Sequence, residues 1–512
     1  MPSPRCSPRA GLIILARWPV LAAVLAVLVS CGGGGDDDGS IGGTSIGLAP
    51  SSSLAQICAA PRPSGTIDPF TGRPYGDVQG TLDDEKAFLR SWIDETYLWY
   101  QDVRALSATT LDPARYATPL DYFDALKSPL TTASGKPKDQ FHFTYDTPTW
   151  VALAQSGVSF GYGIELAFLS RSAPRNAVVA IVQPGSPAAA AGIARGAVLV
   201  AVDGVDFVNG PRAPINAGLF PTVAGTHTLT IRDLGASADR TVTLSAQAIT
   251  STPVQNVRTL PAPNASVGYM LFNDHIATSE AQLVAGINTL KAAGVTDLVL
   301  DIRYNGGGYL DIAAELAYMI AGPAQTAGKF FERLNYNDRN PFNQSTAQAT
   351  TGFLSSGQGF SVSTGTALPT LGLSRVYVLT SADTCSASEA IINGLRGAGV
   401  TVNTIGATTC GKPYGFYPRD NCGTTYFAIQ FQGVNNVGFG SYGDGFAPTC
   451  PVADDFSKAL GDPTENQLEV ALGLRNTGVC TPPIAGIQKQ QATTKSAPTL
   501  IRNPARENRI YR

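Results

Sequence analysis

Two apolar runs in this chain end in the same way. Residues 298–302 (LVLDI) pass at once into Arg303-Tyr304-Asn305-Gly306-Gly307-Gly308, and helical spacing resumes over 312–320. Residues 375–380 (RVYVLT) break into Thr384-Cys385-Ser386-Ala387-Ser388-Glu389, again with a helical segment behind them. A short apolar strand, a turn and then a helix is the repeating unit of a sheet with parallel pairing. The strand-like run 267–272 and the amphipathic run 279–293 add one more unit. Residues 253–480 are therefore expected to form an α/β domain, with the polar, irregular stretch 322–373 as an insertion or lid.

Upstream the pattern changes twice. Residues 58–150 read as a helical domain: 84–103 carries Phe88, Leu89, Trp92, Ile93, Leu98 and Trp99 close to a helical stripe, with Asp83 or Asp84 as cap, and 120–126 forms a second helix. An aromatic stripe of this kind is read as core. Residues 155–250 are strand-rich, with alternating runs at 177–182, 198–202, 227–232 and 241–244 joined by Gly, Pro and Asp turns. The Gln/Thr/Pro-rich, basic stretch 481–512 is expected to be disordered. With 512 residues, 44% of them apolar, the chain has enough material for two or three domains with cores of their own. A formal charge of −3 gives no basic surplus and points away from nucleic acid.

Residues 1–30 are expected to be removed. Arg5, Arg9 and Arg17 precede an apolar run ending in Leu28-Val29-Ser30-Cys31, which has the form of a secretory signal and resembles the bacterial lipobox. That resemblance implies cleavage before Cys31 and its lipidation, which would anchor the protein to a membrane of the bacterial cell envelope. Gly32 beside the lipidated cysteine favours the outer membrane, facing the periplasm or the cell surface. Loss of three arginines takes the formal charge from −3 to −6. The Gly/Ser/Asp-rich stretch 31–57 is then a flexible tether reaching about 27 Å. Besides Cys31, six cysteines remain: Cys58, Cys385, Cys410, Cys422, Cys450 and Cys480. An even number in an exported chain points to disulfides, and the sequence does not choose among the pairings. No CxxC pair or His/Cys cluster stands out, and the only histidines are His142, His227 and His275, so neither a metal nor any other cofactor is expected.

The chemistry centres on Ser386 and Lys412. A serine hydroxyl needs a positioned base to act as nucleophile at neutral pH, and a desolvated lysine can be that base. Ser386 stands at a strand-to-helix switch, where free helix N–H groups can hold an oxyanion. Lys412 returns on a loop between Gly411 and Pro413, beside Tyr414 and Phe416. Each piece alone has a plainer reading: a helix-capping serine, a solvated lysine, a tight glycine turn. Their combination is what points to catalysis.

That combination resembles the S41 serine peptidases, the C-terminal processing proteases. Ser386-Ala387-Ser388-Glu389 is similar to the family's nucleophile motif, Thr408-Thr409-Cys410-Gly411-Lys412 to its lysine motif, and the stretch 301–308 to its DLRxNxGG motif. The resemblance implies a fold of the ClpP/crotonase-like α/β kind, Ser386 as nucleophile, Lys412 as base, and an oxyanion hole from Ala387 with Gly307 or Gly308. The order of features in 155–250 resembles a PDZ domain: Gly161-Tyr162-Gly163-Ile164 as carboxylate loop, 185–193 as short helix, 196–204 as the following strand and turn. A PDZ groove takes an extended peptide onto a sheet edge, so protein substrates with free C-terminal tails are the expected partners. One departure stands out. Many members carry glutamine four residues after the lysine; here Phe416 is there, which leaves the third role to Gln430, Gln432 or no residue. A weakly active tail-binding protein is the alternative this departure motivates. Cys385 and Cys410 flank the two candidates, and a bond between them would fix serine against lysine. His275 is a weaker candidate base. An esterase with a Gly-x-Ser-x-Gly elbow does not fit, because Ser386 lacks the flanking glycines.

Overall fold

The computed structural model describes residues 47–483, 499–501 and 509–511. The signal segment and Cys31 lie outside these ranges. Regular structure starts inside the expected tether, with a short helix Ser51–Leu54 whose first N–H donates to Glu95 Oε1 (2.8 Å).

The N-terminal region is built on helices α1 (Leu82–Thr96) and α2 (Pro119–Ala125), followed by strand β1 (Phe143–Asp146). The cap of α1 is Thr81, not Asp83 or Asp84. Asp84 instead completes a capping box by accepting the Thr81 N–H at 2.8 Å. The helix also stops before Val103, because the Leu98 N–H leaves the helical ladder for Ile429 O (2.8 Å). The aromatic stripe is core: Phe88, Trp92 and Phe123 pack with Phe416, Tyr426 and Phe427.

The β-rich region carries β2 (Ile164–Ser170), β3 (Asn176–Val182), β4 (Val198–Val202), β5 (Thr226–Arg232) and β6 (Arg240–Ser245), in the sheet order β6-β5-β4-β3-β2.

The α/β region contains, in chain order, β7 (Val254–Thr259), β8 (Val267–Phe272), α3 (Ser279–Ala292), β9 (Asp297–Asp301), β10 (Gly307–Tyr309), α4 (Leu310–Thr326), β11 (Phe330–Tyr336), β12 (Thr350–Gly352), β13 (Arg375–Thr380), α5 (Ala387–Gly397) and β14 (Thr401–Gly406). After these come β15 (Tyr414–Gly415), β16 (Arg419–Asn421), β17 (Thr424–Phe427), β18 (Phe431–Val434), β19 (Cys450–Pro451) and α6 (Asn466–Thr477). Its main sheet has the order β7-β8-β9-β13-β14-β19, parallel throughout except for the β7–β8 pair. The sheet is covered on both faces, so its strands are apolar at successive positions. Met270, Phe272, Leu298 and Leu300 pack on α3, α4 and α5, while Tyr269, Leu271, Val299 and Leu379 pack on α6. Each fully buried leucine or phenylalanine here contributes about 1.5–3 kcal/mol.

The expected insertion 322–373 is partly regular. Strand β11 lies within it and joins β12, β18 and β15 in an antiparallel sheet of order β12-β11-β18-β15. The loop beyond β12 is pinned to α3: Glu280 accepts the N–H groups of Gln358 (2.7 Å), Ser361 (2.5 Å) and Val362 (2.6 Å).

The stretch expected to be disordered also contains structure. Strand β20 (Thr499–Ile501) adds antiparallel to the edge of β2, and β21 (Arg509–Tyr511) pairs parallel with β10. Neither needs a periodicity of its own, since an existing edge supplies the backbone partners. The six cysteines pair as Cys58–Cys422, Cys385–Cys410 and Cys450–Cys480.

Candidate active site

Three loops at the carboxyl ends of sheet strands meet at one place. The first follows β13 and carries Ser386. Its backbone sits at φ 67° and ψ −122°, a conformation that costs a non-glycine residue on the order of 1–3 kcal/mol. Ser386 N–H donates to Glu389 Oε2 (3.0 Å), while Ser386 Oγ has no hydrogen-bond partner among the described residues. The hydroxyl is thus not tied up in capping α5; the Glu389 carboxylate caps in its place. Ala387 N–H opens the helix directly behind it.

The second loop carries Lys412. Its side chain is fully buried, with Nζ 4.3 Å from the ring centre of Phe416, 4.7 Å from that of Phe141 and 6.0 Å from that of Phe143. Two ties hold this loop to the first. One is the Cys385–Cys410 disulfide, with Cα atoms 5.2 Å apart. The other is Glu389, whose carboxylate accepts from Gly411 N (2.9 Å), Lys412 N (2.8 Å) and Thr409 Oγ1 (2.5 Å) as well as from Ser386 N. Burial pushes the Glu389 carboxyl upward from its ordinary pKa, and these four donors oppose that shift. Gly411 is required where it stands: at φ 90° an added Cβ would lie 2.3 Å from Gly443 O.

The third is the glycine loop, organised by Asn305. Its Oδ1 accepts from Gly307 N (3.0 Å) and bonds His275 Nδ1 (3.0 Å). Its Nδ2 donates to Phe272 O (3.0 Å), and its carbonyl accepts from Cys385 N (3.0 Å) and Ser388 Oγ (3.0 Å). Gly307 therefore spends its N–H on Asn305, and of the two expected oxyanion donors Gly308 is the one left. Gly308 has φ 143°, and an added Cβ would lie 2.2 Å from His275 O. The strand before the loop is anchored by Arg303, fully buried, which bonds Asp301 (3.0 Å), Asp454 (2.7 Å) and Glu465 (2.8 and 2.9 Å).

His275 belongs to this scaffold rather than to the nucleophile. An amide oxygen only accepts, so His275 Nδ1 carries the proton and its ring orients Asn305. Desolvation lowers its pKa to about 3, keeping it neutral. Both glutamines hydrogen-bond to other groups. Gln430 spends its amide on Tyr417 N (2.7 Å) and Thr96 Oγ1 (3.0 Å), and the Gln432 nitrogen donates to Gly440 O (2.9 Å). The face of Phe416 lies against the lysine. Cys385, Cys410 and Glu389 also lie close together, but the two sulfurs are bonded to each other and do not form a metal-ligand set.

The loops that carry Ser386, Ala387, Gly307, Gly308 and Lys412 are thus tied to one another. Gly161, Tyr162, Gly163 and Ile164 line a separate cavity in the β-rich region, walled by Leu166, Leu199, Leu219 and Phe220. Sequence reasoning did not assign roles to Glu389 or Asn305, although both lie inside the quoted motifs, and it did not single out Phe141 or Phe143.

The family model for Peptidase family S41 matches residues 266–417, which include all three loops, and that for the Peptidase S41 N-terminal domain matches residues 84–145. Over these segments, which together make up less than half of the chain, it is similar to the S41 peptidase family. It is 33% identical over 135 residues to the carboxyl-terminal-processing protease of Picosynechococcus sp., covering 26% of this chain and 32% of that protein. To the chloroplastic C-terminal processing peptidase of Tetradesmus obliquus it is 26% identical over 265 residues, covering 48% of this chain and 55% of that one. The matches therefore span from about a third to just over half of these relatives. A solved chain from Bacteroides fragilis NCTC 9343, assigned to the S41 proteases, superposes with a TM-score of 0.59 at 22% identity, covering 79% of this chain and 98% of that one. The two share a fold.

Proposed function

We propose that the protein is a serine endopeptidase that cleaves unstructured or C-terminal segments of protein substrates. The observation that carries this reading is the double tie between the serine and lysine loops, the Cys385–Cys410 bond and the shared Glu389 carboxylate, set beside the Asn305 glycine loop. In the reaction, Lys412 Nζ takes the Ser386 Oγ proton as Oγ attacks the scissile carbonyl. The oxyanion is held by the N–H groups of Gly308 and Ala387. Collapse returns the proton to the leaving amine and leaves an acyl-enzyme, which water resolves. The aromatic rings around Nζ keep water away and turn their negative faces to the ammonium that forms. In this reading residues 155–250 act as a PDZ module that captures substrate tails at Gly161–Ile164. The protein is exported and lipid-anchored through Cys31, in the cell envelope.

A second reading, a tail-binding protein that hydrolyses weakly, is favoured by Phe416 in place of the glutamine. The test is hydrolysis of an unfolded protein with an apolar C-terminus by wild type, Ser386→Ala and Lys412→Ala. Both variants are expected to lose about 10³-fold or more in kcat. Equal turnover in all three rejects the catalytic assignment; tail binding without turnover in the wild type selects the second reading.

A further inference from the structure

Ser386 and Lys412 both have 0% of their surface exposed. A nucleophile with no access to solvent cannot meet a polypeptide until something moves off it. Strand β21 runs beside β10 on one side and against β15 on the other. Those are the strand that carries Gly308 and the strand that starts two residues after Lys412.

The backbone directions sharpen this. In a parallel ladder, successive residues turn their N–H and C=O groups to opposite sides. On one side of β10, Gly307 C=O accepts from His275 N (3.1 Å) and Tyr309 N donates to His275 O (2.8 Å). Gly308 N–H and C=O therefore face the other side, where β21 lies in register with Gly308 opposite Ile510. The N–H assigned to the oxyanion is directed at the chain's own strand.

A second station holds the same stretch. Strand β20 extends the edge of β2, the strand that begins with Ile164 of the carboxylate loop. Leu500 is buried there with Ala167, Ala180, Ile181, Tyr304 and Phe456, and its N–H donates to Asp383 Oδ2 (2.9 Å), three residues before Ser386.

We infer that the strands Thr499–Ile501 and Arg509–Tyr511 are an intramolecular ligand of the catalytic groove: they lie where an extended polypeptide must lie, and they leave before one binds. The inference rests on the peptidase reading for its consequence, but not for the docking itself. The ligand class is an extended peptide held by backbone pairing, and the resident example is this chain's own. A strand docked nine-tenths of the time would lower apparent substrate affinity about tenfold.

The experiment compares the full chain with Leu500→Asp and with a deletion of residues 499–512. It reads amide hydrogen exchange at Gly307–Tyr309 and Ile164–Ser170 together with peptide hydrolysis. Faster exchange at both strands in both variants is expected. So is a rise in kcat/KM of about tenfold, reversed competitively when a synthetic peptide of residues 499–512 is added to the deletion variant. Unchanged exchange at Gly308, with no competition by the peptide, overturns the inference even if the enzyme is active. Faster exchange without turnover in any form supports the docking and removes the peptidase reading instead.

Discussion

Glu389 shows how one side chain can set the geometry of a site without touching a substrate. Its two oxygens receive four donors from both the serine loop and the lysine loop, so it measures the serine backbone against the lysine backbone. A glutamine has one accepting oxygen and must turn its NH₂ toward donors. Glu389→Gln is therefore expected to lower kcat by about 100-fold and stability by about 1–3 kcal/mol while leaving the fold intact. Steady-state kinetics alongside thermal unfolding will check this; an unchanged kcat would mean that the loops are held without it. Ser386 and Lys412 were legible because a strand–turn–helix switch and a glycine-flanked lysine are local patterns. Glu389 sat in the same motif, yet its role was not legible: three of its four partners lie 20–23 residues away, and only the folded loops bring them round it.

At the scale of elements, strands covered on both faces were easy to read because their apolar runs are continuous; β8 has the expected limits. Strand β11 was missed because Glu332 is buried within it beside Phe331, which spoils both a continuous run and a clean alternation. Strands β20 and β21 were missed for another reason: a strand that only completes another's edge leaves no pattern in its own residues. The link between the β13–α5 turn and the lysine loop is also an element-scale matter. The Cys385–Cys410 bond closes a loop with a sequence separation of 25 residues, and removing it should cost about 3 kcal/mol by loop-closure entropy. The Cys385→Ser/Cys410→Ser double variant is expected to unfold at lower temperature and to lose kcat more than KM. A variant with full kcat would show that Glu389 alone holds the loops together.

For the molecule as a whole, the pH dependence of stability has an identifiable contributor. Glu315 on α4 lies against Glu280 on α3, and burial, with the hydrogen bond and charge of Glu280, pushes its pKa up to about 9. Burial works against the Glu280 carboxylate too, but the N–H groups of Ser361, Val362 and Gln358 outweigh it and hold that group below its ordinary value. A raised carboxyl stabilises the fold fully below its unfolded value near 4.5, and that contribution is lost as pH climbs toward about 9. Glu315→Gln keeps the donor to Glu280 without the proton. Its melting temperature should match wild type near pH 4 and exceed it by on the order of a few °C near pH 9. Melting curves that stay parallel across this range would show that Glu315 is not the group responsible.

The Cys58–Cys422 bond joins positions 364 residues apart. At a synthesis rate of 5–20 residues per second, Cys422 appears roughly 20–70 s after Cys58. Through that interval the earlier thiol has no lasting mate, while Cys385 and Cys410 emerge together just ahead of Cys422. The serine and lysine loops can thus be stapled before the N-terminal segment is fastened down. A clean product depends on an oxidant slow enough, or an isomerase present, to let Cys58 wait its turn.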